Sequence, residues 1–371
     1  MALRDKINEG FGNISETIDE LKKSEIPLIM LGGGDRGYRL WKYLESNSIK
    51  VKTITVDKKY WSKGALLAHT NTELKIFEDE IEKYKKVNVV TGFALNQLDM
   101  SIISSRININ KIYSINIGIF DNYLFSQDFF VKHYKDFNWL YNNVADDLSR
   151  ELLVAHLNGR ILGEYMDYPL ASWNKPQYFL DDLVEWHEKE IVIDGGAYDG
   201  DTVREFISKM PEKIVKESKI YCFEPDELNC KKIAKSYDKN KVESCIVNVV
   251  NIGLWSSKAI LKFKNMGDEM GSVTSEGDTE INVDSIDNYF KNTLDKITFI
   301  KMDIEGSELE ALKGAKNTIY HNKPMLAICL YHKREDLITI PQYINKIVPE
   351  YKLFLRTHLS TPTELILLCK I

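Results

Sequence analysis

The chain has 371 residues, 44% of them hydrophobic and 28% charged, which is globular composition at a length that leads one to expect two domains. Forty-nine lysines and arginines against fifty-five aspartates and glutamates leave a net charge of -6, without the basic surplus of a nucleic-acid binder. No apolar run reaches the ~18 residues of a membrane span, the opening MALRDKINEGFGN has no apolar signal core, and five cysteines form no CxxC pair, so a cytoplasmic protein with reduced thiols is expected.

The first strand–glycine–helix opening is the apolar run 27–31, the glycine loop 32–37 and a helix through Leu44. Gly32-x-Gly34-x-x-Gly37 satisfies the dinucleotide fingerprint, and Asp57 stands twenty residues after Gly37, closing the strand-like run 51–56. Such glycines let backbone N–H groups approach a pyrophosphate at a helix N-terminus, and the acid can hold ribose hydroxyls. Two readings stand for this loop: a site for a nucleotide or sugar-nucleotide, with Arg36 adding a phosphate contact, or a tight turn in a nucleotide-binding-like fold. Residues 1–124 are expected to form a Rossmann-like α/β domain.

Residues 125–177 read as a helical connecting segment whose aromatics, Phe129, Phe130, Tyr134, Phe137 and Trp139 among them, are expected in a core. Pro169, Trp173 and Pro176 break the helical pattern before residues 178–371, the second domain. That domain opens with a second strand, 191–194, a glycine loop, 195–200, and a helix to about Met210. Further apolar runs at 220–223, 247–250, 297–300, 325–328, 351–354 and 365–368 are separated mostly by helical segments, as a parallel sheet requires. The last two runs are joined by a short link around His358–Pro362, which leaves no room for a crossover helix, so they are expected to pair antiparallel. A mostly parallel seven-stranded sheet closed by an antiparallel strand resembles the class I methyltransferase architecture rather than a nicotinamide-binding domain. The polar insertion 263–287 reads as either a lid over an acceptor or a hairpin tip, with Ser272 the residue of interest.

Three motifs carry the chemistry. The loop Asp194-Gly195-Gly196-Ala197-Tyr198-Asp199-Gly200-Asp201-Thr202 places three carboxylates where a pyrophosphate would be repelled and a sulfonium or ammonium group attracted. Glu224 in Phe223-Glu224-Pro225-Asp226 ends the next strand, where a carboxylate can accept from both hydroxyls of a ribose, and Pro225 turns the chain away. In Lys301-Met302-Asp303-Ile304-Glu305-Gly306-Ser307-Glu308-Leu309-Glu310, a strand ends at Met302 and Ser307 with Glu310 reads as a capping box, with Gly314 as C-cap. Asp303 and Glu305 then lie at the C-terminal edge of the sheet, where open α/β sheets bind ligands, whereas Glu308 and Glu310 have a simple explanation as first-turn carboxylates.

These motifs, with Leu330-Tyr331-His332-Lys333-Arg334-Glu335-Asp336-Leu337 downstream, resemble the FkbM-type family of S-adenosylmethionine-dependent methyltransferases over roughly residues 178–371. The resemblance implies S-adenosyl-L-methionine as cofactor and O-methylation of a hydroxyl on a sugar or glycoconjugate, as in polysaccharide biosynthesis. It implies that Asp194, Gly196, Ala197, Gly200 and Thr202 surround the methionine end, that Glu224 and Pro225 hold the ribose, and that residues 251–254, including Gly253, pass the adenine. Asp303, Glu305 and Glu308 would lie near the transferred methyl. For the general base His332 is the first choice, with Asp303 or His358 behind it. Asp303 and Glu305 alone make too few ligands for a metal, and none is expected. The alternatives are an NAD-dependent oxidoreductase built on the loop 32–37 and a non-catalytic binding or assembly protein that keeps the fold.

Overall fold

A computed structural model describes residues 2–7, 14–93, 97–115, 125–162, 176–237, 245–265, 271–273, 277, 279–358 and 364–371. The chain divides into two compact units. The first comprises Met1–Asn138, Glu151–Pro169 and Ser360–Thr363, and the second Trp139–Arg150, Leu170–Leu359 and Glu364–Ile371. Pro169 and Trp173 lie outside the described residues.

The first unit is built on strands β1 (Leu28–Leu31), β2 (Thr53–Val56), β3 (Lys75–Ile76), β4 (Val87–Thr91) and β5 (Ile109–Ser114). They pair in parallel in the order β3-β2-β1-β4-β5. Every residue of β1 and β4 is buried, the mark of parallel strands covered on both faces. Gly32, at φ 119°, leads from β1 into the helix Asp35–Ser46, and a Cβ on Gly37 would stand 2.2 Å from the Gly32 carbonyl oxygen. Packing therefore accounts for Gly37, while nothing lies within 4 Å of a Cβ at Gly34. Phe129, Phe130 and Phe137 are buried, and the rings of Phe130 and Phe137 stack 5.6 Å apart, so these aromatics are core.

The second unit contains β6 (Ile191–Gly195), β7 (Lys219–Phe223), β8 (Ile246–Val250), β9 (Gly253–Leu254), β10 (Ala259–Asn265), β11 (Gly271–Val273), β12 (Thr279–Asp284), β13 (Phe299–Met302), β14 (Met325–Cys329), β15 (Lys352–Thr357) and β16 (Leu365–Lys370). Seven of these form one sheet in the order β15-β16-β14-β13-β6-β7-β8. Every pairing in it is parallel except those of β16, which runs antiparallel to both β14 and β15, as the short link between the last two strands requires. Phe179, Phe206, Phe299, Ile220 and Leu368 belong to the core cluster packed on this sheet.

Three local expectations are revised. The segment 263–287 is neither a plain lid nor a lone hairpin tip: β9 to β12 form a separate four-stranded sheet in the order β11-β10-β12-β9. Ser272 lies in β11 opposite Lys264, and its side chain is outside the described set. Ser307 precedes the helix Glu308–Gly314 but makes no side-chain cap, and Glu310 pairs with Lys313. Gly314 is the last residue of that helix and not its C-cap. A Cβ there would lie 2.1 Å from the Trp255 carbonyl oxygen, so close packing requires the glycine.

Candidate active site

The parallel order reverses direction at β6, with β7 on one side and β13 on the other, so their C-terminal ends open a crevice where such sheets bind ligands. A solvent-open cleft lies there, at the kind of position where open α/β sheets hold small molecules. Gly196, Glu224, Pro225, Gly253, Asp303 and Glu305 line it, as do Tyr198 and Ile304. Asp194, Ala197, Gly200, Thr202 and His332 stand behind that lining. Phe263, Val273, Ile281 and Val283 of the small sheet supply an apolar wall.

The loop after β6 is shaped by contact with its neighbours. Gly196 has φ 73°, and a Cβ on it would lie 1.9 Å from the Asp303 carbonyl oxygen, so only glycine fits. Gly196 N–H donates to the Phe223 carbonyl at 3.0 Å, which ties the loop to the end of β7. Tyr198 is held at φ 46°, an unfavourable region for a side-chain-bearing residue, and its N–H donates to Glu224 Oε2 at 3.0 Å. The other Glu224 oxygen accepts the Asp226 N–H at 2.9 Å. Each oxygen keeps a second lone pair, the capacity a vicinal diol requires. Burial raises the Glu224 carboxyl above its ordinary range, and the two N–H donors oppose that shift.

The three loop carboxylates do not cluster as expected. Asp199 pairs with Arg204 at 2.9 Å, and Asp201 accepts the Thr202 N–H at the start of the helix Asp201–Lys209. Asp194 alone turns inward. It is opposite Lys301 across the β6–β13 ladder, with Nζ 3.1 Å from Oδ1 and both side chains buried. The ammonium also donates to the carbonyls of Gly195 and Gly196, at 3.2 and 2.8 Å, and Asp194 Oδ2 is left without a donor. Burial raises the Asp194 carboxyl against the pull of Lys301. Burial likewise opposes the Lys301 charge, but Asp194 and Asp303 outweigh it and hold the ammonium above its ordinary range.

Asp303 follows β13. Its carboxylate accepts from the hydroxyls of Tyr178 and Tyr331, each at 2.9 Å. Burial pushes this carboxyl up, yet Lys301, His332 and the tyrosine hydroxyls prevail and leave it below the ordinary range. Glu305 and Gly306 both take left-handed backbone, at φ 56° and 88°, which swings the chain sharply into the next helix. Burial brings the Glu305 carboxyl to about 7.

His332, just past β14, sits behind these carboxylates with 1% of its side chain exposed. Its Nε2 is 3.3 Å from Glu305 Oε2 and 3.4 Å from Asp303 Oδ1, and its Nδ1 is 2.9 Å from Glu308 Oε1. Burial disfavours the charged ring, but Glu308, Glu305 and Asp303 together push it up to about 10. An imidazole of that basicity is already protonated at neutral pH. His358, after β15, is instead held below the ordinary imidazole range by burial, with Nε2 3.7 Å from Glu364 Oε2.

Glu308 is fully buried against His332, so it is not the solvent-facing first-turn carboxylate its position suggests. Lys301, Tyr178 and Tyr331 were not singled out from the sequence. A lysine inside the buried run Phe299–Met302 was the available signal, while Tyr178 reaches Asp303 across 125 residues and had none.

The strand order, the single antiparallel strand and acids at the ends of the first two strands define a class I methyltransferase fold. Residues 194–354 match the family model described as the methyltransferase FkbM domain. The crystal structure of methyltransferase FkbM from Methylobacillus flagellatus KT is similar at TM-score 0.73 and 23% identity, covering 97% of this chain and 94% of that one. An rRNA methylase from Streptococcus thermophilus gives TM-score 0.32 and 16% identity over 50% of this chain and 88% of that one. No curated protein matches the chain. Among the described residues no helix is long and apolar enough to cross a membrane. The oxidoreductase alternative thus gives way to a methyltransferase whose motifs all lie in the second unit.

Proposed function

We propose that the protein is an S-adenosylmethionine-dependent O-methyltransferase acting on a hydroxyl of a sugar or glycoconjugate. The observation that carries this reading is the pair of cleft-lining carboxylates, Asp303 and Glu305, placed across from Glu224. The cofactor fits the residues present. Asp194 Oδ1 pairs with Lys301, while its Oδ2 is buried without a donor, which suits the cationic methionine end. Glu224 would hold the ribose hydroxyls, and Gly253 with Leu254 and Val283 would flank the base.

When bound, S-adenosylmethionine supplies a methyl group already activated for in-line displacement, so the protein mainly positions the acceptor. Asp303, fixed by Tyr178 and Tyr331, orients the acceptor hydroxyl. The hydroxyl proton passes to a cleft-lining carboxylate, because His332 lies behind that lining and does not reach the cleft. His332 acts on the same carboxylates from the rear, as a positioning residue. Five free, buried cysteines accord with a reducing, cytoplasmic setting.

Isothermal titration with S-adenosylmethionine tests the cofactor, and transfer of labelled methyl to hydroxyl-bearing glycans tests the acceptor. The expected results are micromolar binding that Glu224→Ala weakens at least tenfold, and a product stable to mild base, as an ether is and an ester is not. Binding unchanged in Glu224→Ala would refute the cofactor site. Labelled methyl found on nitrogen or carboxyl acceptors in place of hydroxyls would refute the O-methylation reading.

A further inference from the structure

The side chains behind Asp303 carry a charge imbalance that methyl transfer does not use. His332 and Glu308 have 1% and 0% of their side chains exposed. Glu308 Oε1 accepts the Ile304 N–H at 2.8 Å and faces His332 Nδ1, while Oε2 of the same carboxylate is buried with no hydrogen-bond donor. Lys301 does not neutralise this group, being committed to Asp194 and to the carbonyls of Gly195 and Gly196. Lys333 turns its ammonium to the Gly306 carbonyl, and Asp336 adds one more buried carboxylate, which accepts the Lys333 N–H at 2.9 Å. A single imidazolium therefore faces the carboxylates of Asp303, Glu305 and Glu308, so carboxylates outnumber the cation beside them. Buried charge in excess is costly unless a counter-charge completes it.

We propose that Asp303, Glu308 and His332 form a site for a divalent cation. One ligand atom from each lies within 4.8 Å of the others, and since Asp303 faces Nε2 and Glu308 faces Nδ1, a turn of the His332 ring presents one nitrogen to an ion held by both carboxylates. Two carboxylates and a neutral imidazole carry two negative charges, which a divalent ion cancels. One nitrogen and two oxygens suit manganese, iron or zinc better than calcium. His332 and Glu308 form the closed back of the site, and Asp303 borders the cleft, so remaining coordination positions open toward it. From the sequence Asp303 and Glu305 alone made too few ligands, and no metal was expected; the fold brings Glu308 and His332 up to Asp303.

The test uses the full chain, stripped with EDTA and desalted, and Mn²⁺ as the probe. Electron paramagnetic resonance of free Mn²⁺ is expected to show one ion bound per chain. Spin-echo modulation of the bound ion is expected to carry the ¹⁴N coupling of one imidazole, absent in His332→Gln. Glu308→Gln should weaken binding at least tenfold, and Asp181→Asn, which changes an exposed acid, should not. Less than one ion per chain, a bound ion without ¹⁴N coupling, or a Glu308→Gln affinity equal to the parent's would each overturn the site. If Glu308→Gln does not fold, the ¹⁴N coupling in the parent decides alone. Mn²⁺ binding without methyl transfer would count against the proposed function and leave the cation site standing.

Discussion

Replacing Lys301 by Met tests whether the buried ion pair holds the cleft together. Lys301 and Asp194 lie 3.1 Å apart with 3% and 2% of their side chains exposed, so solvent screens neither. Removing only the ammonium strands a buried carboxylate, which costs about 3–5 kcal/mol. Replacing both, as Asp194→Asn/Lys301→Met, removes the stranded charge. What remains is the loss of donors to the Gly195 and Gly196 carbonyls, at about 0.5–1.5 kcal/mol each. The double variant is therefore expected to be more stable than Lys301→Met alone by about 2 kcal/mol, a coupling that additive sites would not show. Urea unfolding followed by fluorescence measures it, and slopes of about 1–3 kcal/mol per molar urea turn that difference into roughly a molar in midpoint. The recovered double variant should still bind S-adenosylmethionine poorly, since Asp194 has lost its charge. A double variant no more stable than Lys301→Met would refute the ion-pair reasoning, and unimpaired cofactor binding in it would remove Asp194 from the site.

Glu224→Gln should weaken S-adenosylmethionine binding by about 1–3 kcal/mol through lost charge-assisted hydrogen bonds. Because burial raises the Glu224 carboxyl, parental affinity should decline as pH falls through that raised value, and calorimetry across pH should find the decline missing in the variant. Burial also pushes up on Asp146, but Arg356, 2.6 Å away, and Ser149 prevail and hold its carboxyl below the ordinary range. A depressed folded-state pKa gives stability that is present above the unfolded-state value and lost as pH falls through the folded one. Thermal melts should accordingly place Asp146→Asn below the parent at pH 7, with the gap closing at pH values below the ordinary aspartate range. Gly37→Ala should lower the melting temperature by several degrees, since its Cβ meets the Gly32 carbonyl, whereas Gly34→Ala should leave it unchanged. Equal melts for the two would contradict the described loop.

Much of the frame was legible because parallel strands advertise themselves. Ile191–Gly195 and Phe299–Met302 are buried runs with an acid at or just past their C-terminal ends, Asp194 and Asp303, and the short link before Leu365 forces an antiparallel return. What stayed hidden depended on contacts remote in sequence. The small sheet escaped notice because β10 and β12 are joined through a polar segment that reads as loop. Glu308 looked like a first-turn carboxylate because its burial is decided by His332, 24 residues on. His332 looked like a base because its protonation is set by three carboxylates rather than by its own position. Ser307 and Glu310 read as a capping pattern, but Ser307 makes no cap and Glu310 pairs with Lys313.

The apolar wall from Phe263, Ile281 and Val283 stands on a sheet separate from the one that carries Asp194, Glu224 and Asp303. Hairpin connections accept changes of length and composition far more readily than a buried parallel ladder does. The two halves of the cleft are thus under different constraints: the ladder side is fixed by glycines that admit no Cβ, and the wall side is free to drift. Selection for a new acceptor can act on β10 to β12 while Asp303 and Glu305 keep their places. Relatives that diverge in what they methylate are expected to diverge first in that wall.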